Sequence, residues 1–152
     1  MRLRRLRAED TERVQEFVRR LSARSRLERF FAPVTELSPK QLARITSGSG
    51  LSLAALDEHG AIVALGEYAC GDSGRAEIAL VVADEWQRRG LGERLLAALL
   101  EHARRAGLSR LEGVTRAGND AMRRLAAKLG FGLRRDADPR LVRFERPLAG
   151  RP

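Results

Sequence analysis

The sequence predicts one α/β domain, an α+β arrangement of about seven strands and about four helices, and three observations predict it. Residues 51–82 read as three strands parted by turn chemistry. The segments on either side carry apolar residues at helical spacing, with recognisable caps. The length of 152 residues, 43% apolar and 32% charged, suits one core and is short for two. The expected domain is the whole chain, 1–152.

The elements follow in order. Residues 1–6 alternate apolar and basic side chains, as a strand does. Asp10 is the expected N-cap of a helix whose Val14, Phe17, Val18 and Leu21 share one face. Residues 22–29 are polar and basic, and read as a loop or a fraying helical end. Ser38-Pro39-Lys40-Gln41 forms a capping box with proline at the first helical position. That helix stops before the breaker Ser47-Gly48-Ser49-Gly50. Strands over 51–56, 61–69 and 75–82 follow, separated by Asp57-Glu58-His59-Gly60 and Gly71-Asp72-Ser73-Gly74. Leu91, Leu95, Leu99, Leu100 and Ala103 mark a long helix ended by Gly107. A strand over 109–115, a helix over 119–129 and two strands flanking Asp136-Ala137-Asp138-Pro139 complete the chain. No repeat, linker or low-complexity segment interrupts it.

Composition excludes several functions. The longest apolar run, residues 95–100, falls far short of a bilayer, so no membrane partner is expected. The first residues lack the continuous apolar stretch of a secretory signal. Cys70 is the only cysteine, which leaves no intrachain disulfide or cysteine metal site; no metal is expected, and a reducing cytoplasm fits. The net charge of +9 is spread along the chain almost entirely as arginine, while aromatics make up only 5%. A binder of unpaired nucleic acid needs a concentrated basic face and rings for stacking, so a basic surface without a nucleic-acid partner is expected.

Residues 75–107 carry the chemistry: a strand, a tight turn with glycine, and a helix. A helix start leaves four backbone N–H groups without partners and adds partial positive charge, while glycine lets an anion approach the main chain. The turn Gln87-Arg88-Arg89-Gly90-Leu91-Gly92 supplies all of these, with two arginines beside them. Its spacing is neither the GxGxxG of a dinucleotide fold nor the GxxxxGK[ST] of a P-loop. The same glycines would also serve a purely structural strand-to-helix turn.

The run Val82-Ala83-Asp84-Glu85-Trp86-Gln87-Arg88-Arg89-Gly90-Leu91-Gly92 resembles the acyl-CoA motif of the GNAT family of N-acetyltransferases. The family's second cofactor motif is matched from Asn119-Asp120-Ala121-Met122 to Leu129-Gly130-Phe131, and the inferred element order is the family's own over nearly the whole chain. Arg29-Phe30-Phe31-Ala32-Pro33-Val34, Glu36-Leu37-Ser38-Pro39 and Ala76-Glu77-Ile78-Ala79-Leu80-Val81-Val82 look like bacterial protein lysine acetyltransferases that modify acyl-CoA synthetases. The likeness departs at residues 47–50, where those proteins carry a charged segment.

The resemblance implies the GNAT fold, a mixed and mostly antiparallel sheet whose central parallel strands splay to admit acetyl-CoA as cosubstrate. The pantetheine would pair with backbone groups of Leu80, Val81 and Val82, with an N–H near Val81 polarising the thioester carbonyl. The pyrophosphate would sit on Gln87, Arg88, Arg89, Gly90, Leu91 and Gly92, and Asn119 would cap its helix and reach the pantetheine arm. Glu77 matches the general base of the lysine acetyltransferases; read alone, a carboxylate in an apolar strand is either a base or half of a cross-strand ion pair. Glu67 is the reserve, and a turn centred on Asp72 would set it opposite Glu77. Where many relatives carry an acidic tyrosine this chain has Ala126, so no general acid is assigned. His59, His102 and Cys70 read as bystanders.

The expected acceptor is a primary amine, either a lysine of a protein such as an acyl-CoA synthetase or a small molecule, with Glu67, Glu77 and Glu36 expected to line its entrance. A non-catalytic acyl-CoA sensor would keep the glycines and Asn119 but have no use for Glu77. A monomer or a homodimer is expected.

Overall fold

The computed structural model describes residues 1–148. Its elements are β1 (Arg2–Arg5), α1 (Thr11–Arg20), α2 (Ala23–Phe30), α3 (Pro39–Ser47), β2 (Leu51–Leu56), β3 (Ile62–Cys70), β4 (Arg75–Val82), α4 (Leu91–Arg105), β5 (Arg110–Arg116), α5 (Asp120–Lys128), β6 (Gly132–Arg135) and β7 (Leu141–Pro147). The strands form one seven-stranded sheet in the order β1-β2-β3-β4-β5-β7-β6. All neighbours are antiparallel except β4 and β5, which the α4 crossover joins in parallel. No helix among the described residues is long and apolar enough to cross a membrane.

Helices cover both faces. Leu95, Leu96, Leu99 and Ala103 of α4, with Ala126 of α5, pack on Leu53, Ile78 and Leu111. On the opposite face, Val14, Phe17 and Val18 of α1 and Leu42 and Ile45 of α3 pack on Ala54, Leu56, Leu65 and Val81. Covered twice, β2 is buried along its whole length, which is why Leu51–Leu56 reads as a nearly continuous apolar run and not as an alternation. The capping box at Ser38 forms as expected: its hydroxyl accepts from Gln41 N–H at 3.2 Å, and Gln41 Oε1 accepts from Ser38 N–H at 2.8 Å.

Three expectations are corrected. Residues 22–29 are not a loop: α2 is a fifth helix, capped by Ser22, whose hydroxyl accepts from Ser25 N–H at 3.1 Å. The β3–β4 turn is centred one residue later than Asp72, because Ser73 and Gly74 both take positive φ. Glu67 therefore pairs with Ala79, and Glu77 with Ala69, so the two carboxylates are diagonal neighbours and not opposite. Asp10 precedes α1 but does not cap it with its side chain. It bonds instead to the Arg4 guanidinium at 2.8 Å and accepts from Arg7 N–H at 2.8 Å, tying β1 to the start of α1.

The Arg4 hydrogen bond holds the Asp10 carboxyl below its ordinary value, against burial, which acts upward. A depressed folded value contributes stability above the ordinary carboxylate range, and that stability is lost as pH falls through the folded value. Asp10→Asn is expected to lower the unfolding free energy by about 1–3 kcal/mol at neutral pH, because the guanidinium loses its charged partner. In urea titrations the gap between variant and parent should close on acidification; a gap independent of pH would show that the ion pair is not its source.

Candidate active site

The functional cleft follows from an interrupted ladder. Although β4 runs to Val82 and β5 to Arg116, they pair only at Arg75↔Arg110, Ala76↔Leu111 and Glu77↔Glu112. The next residue on β5 is Gly113. A Cβ there would meet the Ile78 carbonyl oxygen at 2.9 Å and the Phe144 ring at 2.5 Å, so only glycine lets β4 and β7 close in at the point of parting. Beyond it the strands diverge, leaving a cleft of about 560 Å³.

Leu80, Val81 and Val82 line this cleft, but their backbones face different ways. Ala83 N–H donates to Val63 C=O across the β3 ladder, and antiparallel hydrogen-bonded pairs alternate. Ala79 and Val81 therefore turn their N–H and C=O toward β3, while Leu80 and Val82 turn theirs toward the gap. This corrects the expectation for Val81, whose peptide groups are engaged in the sheet. The Val82 carbonyl is also engaged, accepting from Gln87 Nε2 at 2.9 Å. The gap-facing N–H groups of Leu80 and Val82 are the ones without a strand partner.

At the top of the cleft α4 begins at Leu91, with Gly90 as an N-cap that supplies no side-chain acceptor. Gly90 has φ of +79°, and Arg88, unusually for a residue with a Cβ, has +63°. Gln87, Arg88, Gly90, Leu91 and Gly92 all line the cleft. Gly92 leaves little room, since a Cβ would lie 3.3 Å from Leu125 Cδ2. Free N–H groups, the helix dipole and the Arg88 cation suit this mouth to an anionic group. Arg89 is not among the lining residues; its guanidinium stacks 4.8 Å over the Trp86 ring. Asn119 borders the opposite wall and caps α5 by accepting from Met122 N–H at 3.1 Å.

The roof is α2, which the sequence reading missed. Ser22 and Ser25 hydroxyls donate to Asp84 at 3.0 and 2.9 Å. Burial alone would raise the Asp84 carboxyl, but these bonds outweigh it and hold the group low. Arg29 forms an ion pair with Glu67, which is buried, so that carboxylate is already neutralised. Arg24, Ser25, Glu28 and Arg29 all line the cleft. The available signal was Ser22 three residues before Ser25, a cap without an apolar stripe behind it.

Glu77 stands on the last β4–β5 rung, exposed, with no ion pair or side-chain hydrogen bond among the described residues. It is directed to the α2 face, as Glu67 is, because diagonal neighbours with paired registers share a face. The strand buries its alternate side chains and leaves this one in water, so no desolvation cost attaches to it. Glu36 pairs with Arg19 at 3.1 Å on the exposed surface and does not line the cleft. Tyr68 belongs to the core on the α4 face, where burial pushes its phenol up, and Ala126 is fully buried. His59, His102 and Cys70 are exposed and outside the cleft. Among the described residues, no group of three or more His, Cys, Asp or Glu could hold a metal ion.

Comparison with known proteins matches residues 15–131 to the Acetyltransferase (GNAT) family. Acetyltransferase PA5475 of Pseudomonas aeruginosa is 38% identical over 143 residues, covering 90% of this chain and 77% of that protein. The crystal structure of the GNAT domain of S. lividans PAT superimposes with a TM-score of 0.89 at 29% identity, covering 96% of this chain and 89% of that one. A GNAT superfamily phosphinothricin acetyltransferase from Sinorhizobium meliloti, solved in complex with AcCoA, shares the fold with a TM-score of 0.79 at 20% identity, over 97% and 88% of the two chains.

The helix mouth generates a direct test. Gly92→Asp sets a carboxylate against free N–H groups while its Cβ meets only the movable end of Leu125. Calorimetric affinity for coenzyme A is expected to fall about a hundredfold or more, with an unchanged circular dichroism spectrum. Unchanged affinity in the folded variant would put the anion elsewhere.

Proposed function

This chain belongs to the GNAT family of acetyltransferases, N-acetyltransferases that use acetyl-CoA as cosubstrate, and on that premise we propose that it acetylates a protein lysine with Glu77 as general base. The observation that carries the reading is the position of Glu77, a free carboxylate on the final rung before β4 and β5 part. Glu77 is not among the residues lining the cleft, and on this reading a thioester carried in from the α4 mouth reaches down from Leu80 toward that rung.

The chemistry needs a neutral amine, whereas a lysine is mostly protonated near neutral pH. Glu77 takes that proton, directly or through water, and the nitrogen lone pair attacks the thioester carbonyl. The N–H groups of Leu80 and Val82 that face the gap support the oxygen as it becomes negative. As the C–N bond forms the nitrogen releases its second proton to solvent, the C–S bond breaks, and coenzyme A leaves as a thiolate that takes a proton from solvent. Gln87, Arg88, Gly90, Leu91 and Gly92 hold the pyrophosphate, while Asn119 offers its amide N–H to the pantetheine arm. Arg89 acts indirectly by bracing Trp86. Glu67 is the counter-ion of Arg29 and keeps the roof in place.

A protein lysine is supported by the sequence likeness at residues 29–39 and 76–82 to protein lysine acetyltransferases, and by the unpaired Glu77 on the α2 face, which favours a cation. The lone exposed thiol agrees with a cytoplasmic setting, and the scattered arginines with a protein that does not act on nucleic acid.

Glu77→Gln is expected to lower kcat by roughly two to four orders of magnitude, leaving acetyl-CoA affinity unchanged, as for loss of proton transfer. If Glu77→Gln turns over normally while Glu67→Gln does not, the base is on β3. For the acceptor, lysine-specific acetylation across a cell extract is expected to outpace free polyamines and aminoglycosides. A small amine used with kcat/KM near 10⁴ M⁻¹s⁻¹, roughly the lower end of ordinary enzymes, with no protein modified, would assign a small-molecule acceptor instead.

A further inference from the structure

One polar atom in the cleft has nothing to bond to. Glu28, on α2, lines the cleft, and its Oε2 is buried without a hydrogen-bond partner. Its other oxygen lies 3.6 Å from Arg116 Nη1 on β5, close enough for attraction and too far for a hydrogen bond. Its neighbours on the cleft side of the roof are engaged: Arg29 holds Glu67, and the Ser25 hydroxyl holds Asp84, while Arg26, whose Nε is also buried without a partner, does not line the cleft. Arg24, one turn before Glu28, makes no ion pair with it. A carboxylate oxygen that is out of water and without a donor is costly to keep, and such atoms in a working cleft call for a ligand that donates.

We infer that Glu28 Oε2 receives the acceptor's ammonium and orients it for attack, a role that rests on the amine-acetylating reading above. An alkylammonium has three N–H groups and the opposite charge, whereas a pantetheine amide offers one neutral donor. One N–H stays on Glu28 while a second proton leaves to Glu77 through water, since Glu77 is level with Glu112, four residues along β5 from Arg116, so the lone pair that appears is aimed by the bond that remains. From ammonium to amide the nitrogen keeps its carbon and loses two protons, one to Glu77 before attack and one after the C–N bond to the acetyl carbon has formed, while the C–S bond breaks and the thiolate takes up a proton. Arg116 draws on the same carboxylate through Oε1 in the free protein, so it competes with the acceptor for the charge of Glu28 though not for the same oxygen. Specificity follows: cationic alkylamines are preferred over neutral arylamines, because only the former bring an opposite charge to that carboxylate.

The experiment compares Glu28→Gln and Arg116→Gln by steady-state kinetics with a lysine peptide, and with spermidine as a second acceptor. Glu28→Gln is expected to raise the acceptor KM about tenfold or more while kcat changes less than about threefold and acetyl-CoA affinity is unchanged, as for loss of a charge-assisted contact. Arg116→Gln is expected to move KM the opposite way, down by about two- to fivefold, since it removes the competitor. Parallel changes in the two variants would make the pair structural and overturn the inference. A weakened acetyl-CoA affinity in Glu28→Gln would give the orphan oxygen to the cosubstrate and overturn it too. Because Glu77→Gln is read in kcat and these variants in KM, a failure of the base assignment is distinguishable from a failure here.

Discussion

The constraint on which the rest depends is the short parallel ladder between β4 and β5. Three rungs bind the two strands, and Gly113 ends the pairing by letting the Ile78 carbonyl and the Phe144 ring crowd the position where a side chain would stand. A sheet interrupted in this way has main-chain groups without strand partners, and such groups must find hydrogen bonds elsewhere. In this chain one is closed internally, at the Val82 carbonyl, by Gln87. The others are available to a molecule that lies between the strands as an extra strand would. The site is thus the part of a β-sheet that the sheet itself leaves unfilled.

What roofs the opening is held mainly by polar contacts, with Phe30 at its end packed on the core. The only buried residue of α2 is Ser25. Its attachments include Glu67 on β3, Asp84 just after β4 and Arg116 on β5, besides the Arg26 guanidinium, which donates to the Leu21 carbonyl. The helix therefore bridges the parted strands, and it does so with groups that water or a ligand can replace at modest cost. By contrast, α4 is anchored through Leu95, Leu96, Leu99 and Leu100, all deeply buried, so the anion-binding mouth is rigid while the roof is exchangeable.

The strands from β2 to β4, the helix after Gln87-Arg88-Arg89-Gly90-Leu91-Gly92 and the Asn119 cap were legible in the sequence, because each is a local pattern of alternation, turn residues or capping. What was not legible depends on distant partners. Helix α2 lacks an apolar stripe, since its inner side meets carboxylates on other elements, and periodicity does not register that. The β3–β4 register turned on whether Ser73 adopts positive φ, a single-residue choice that moved Glu77 off Glu67. Asp10 looked like a cap because aspartate before a helix usually is one, while Arg4, six residues earlier, was the stronger partner. The roles of Val81 and Arg89 hinged on which way one peptide and one side chain point, information that motif spacing does not contain.

The strand order also fixes a sequence of events. β1 to β4 meet their sheet partners through near neighbours, and that half can assemble as it emerges from the ribosome. The wall beyond the cleft cannot, because β5 is completed by β7, whose residues 141–147 follow everything they touch and whose Phe144 covers Gly113. Until that last strand arrives, β5 has three rungs on one side and a bare edge on the other. Competence to bind therefore comes late in biosynthesis, and a nascent chain stalled before residue 141 would hold half an active site beside an unprotected strand edge, a natural recruiting point for chaperones.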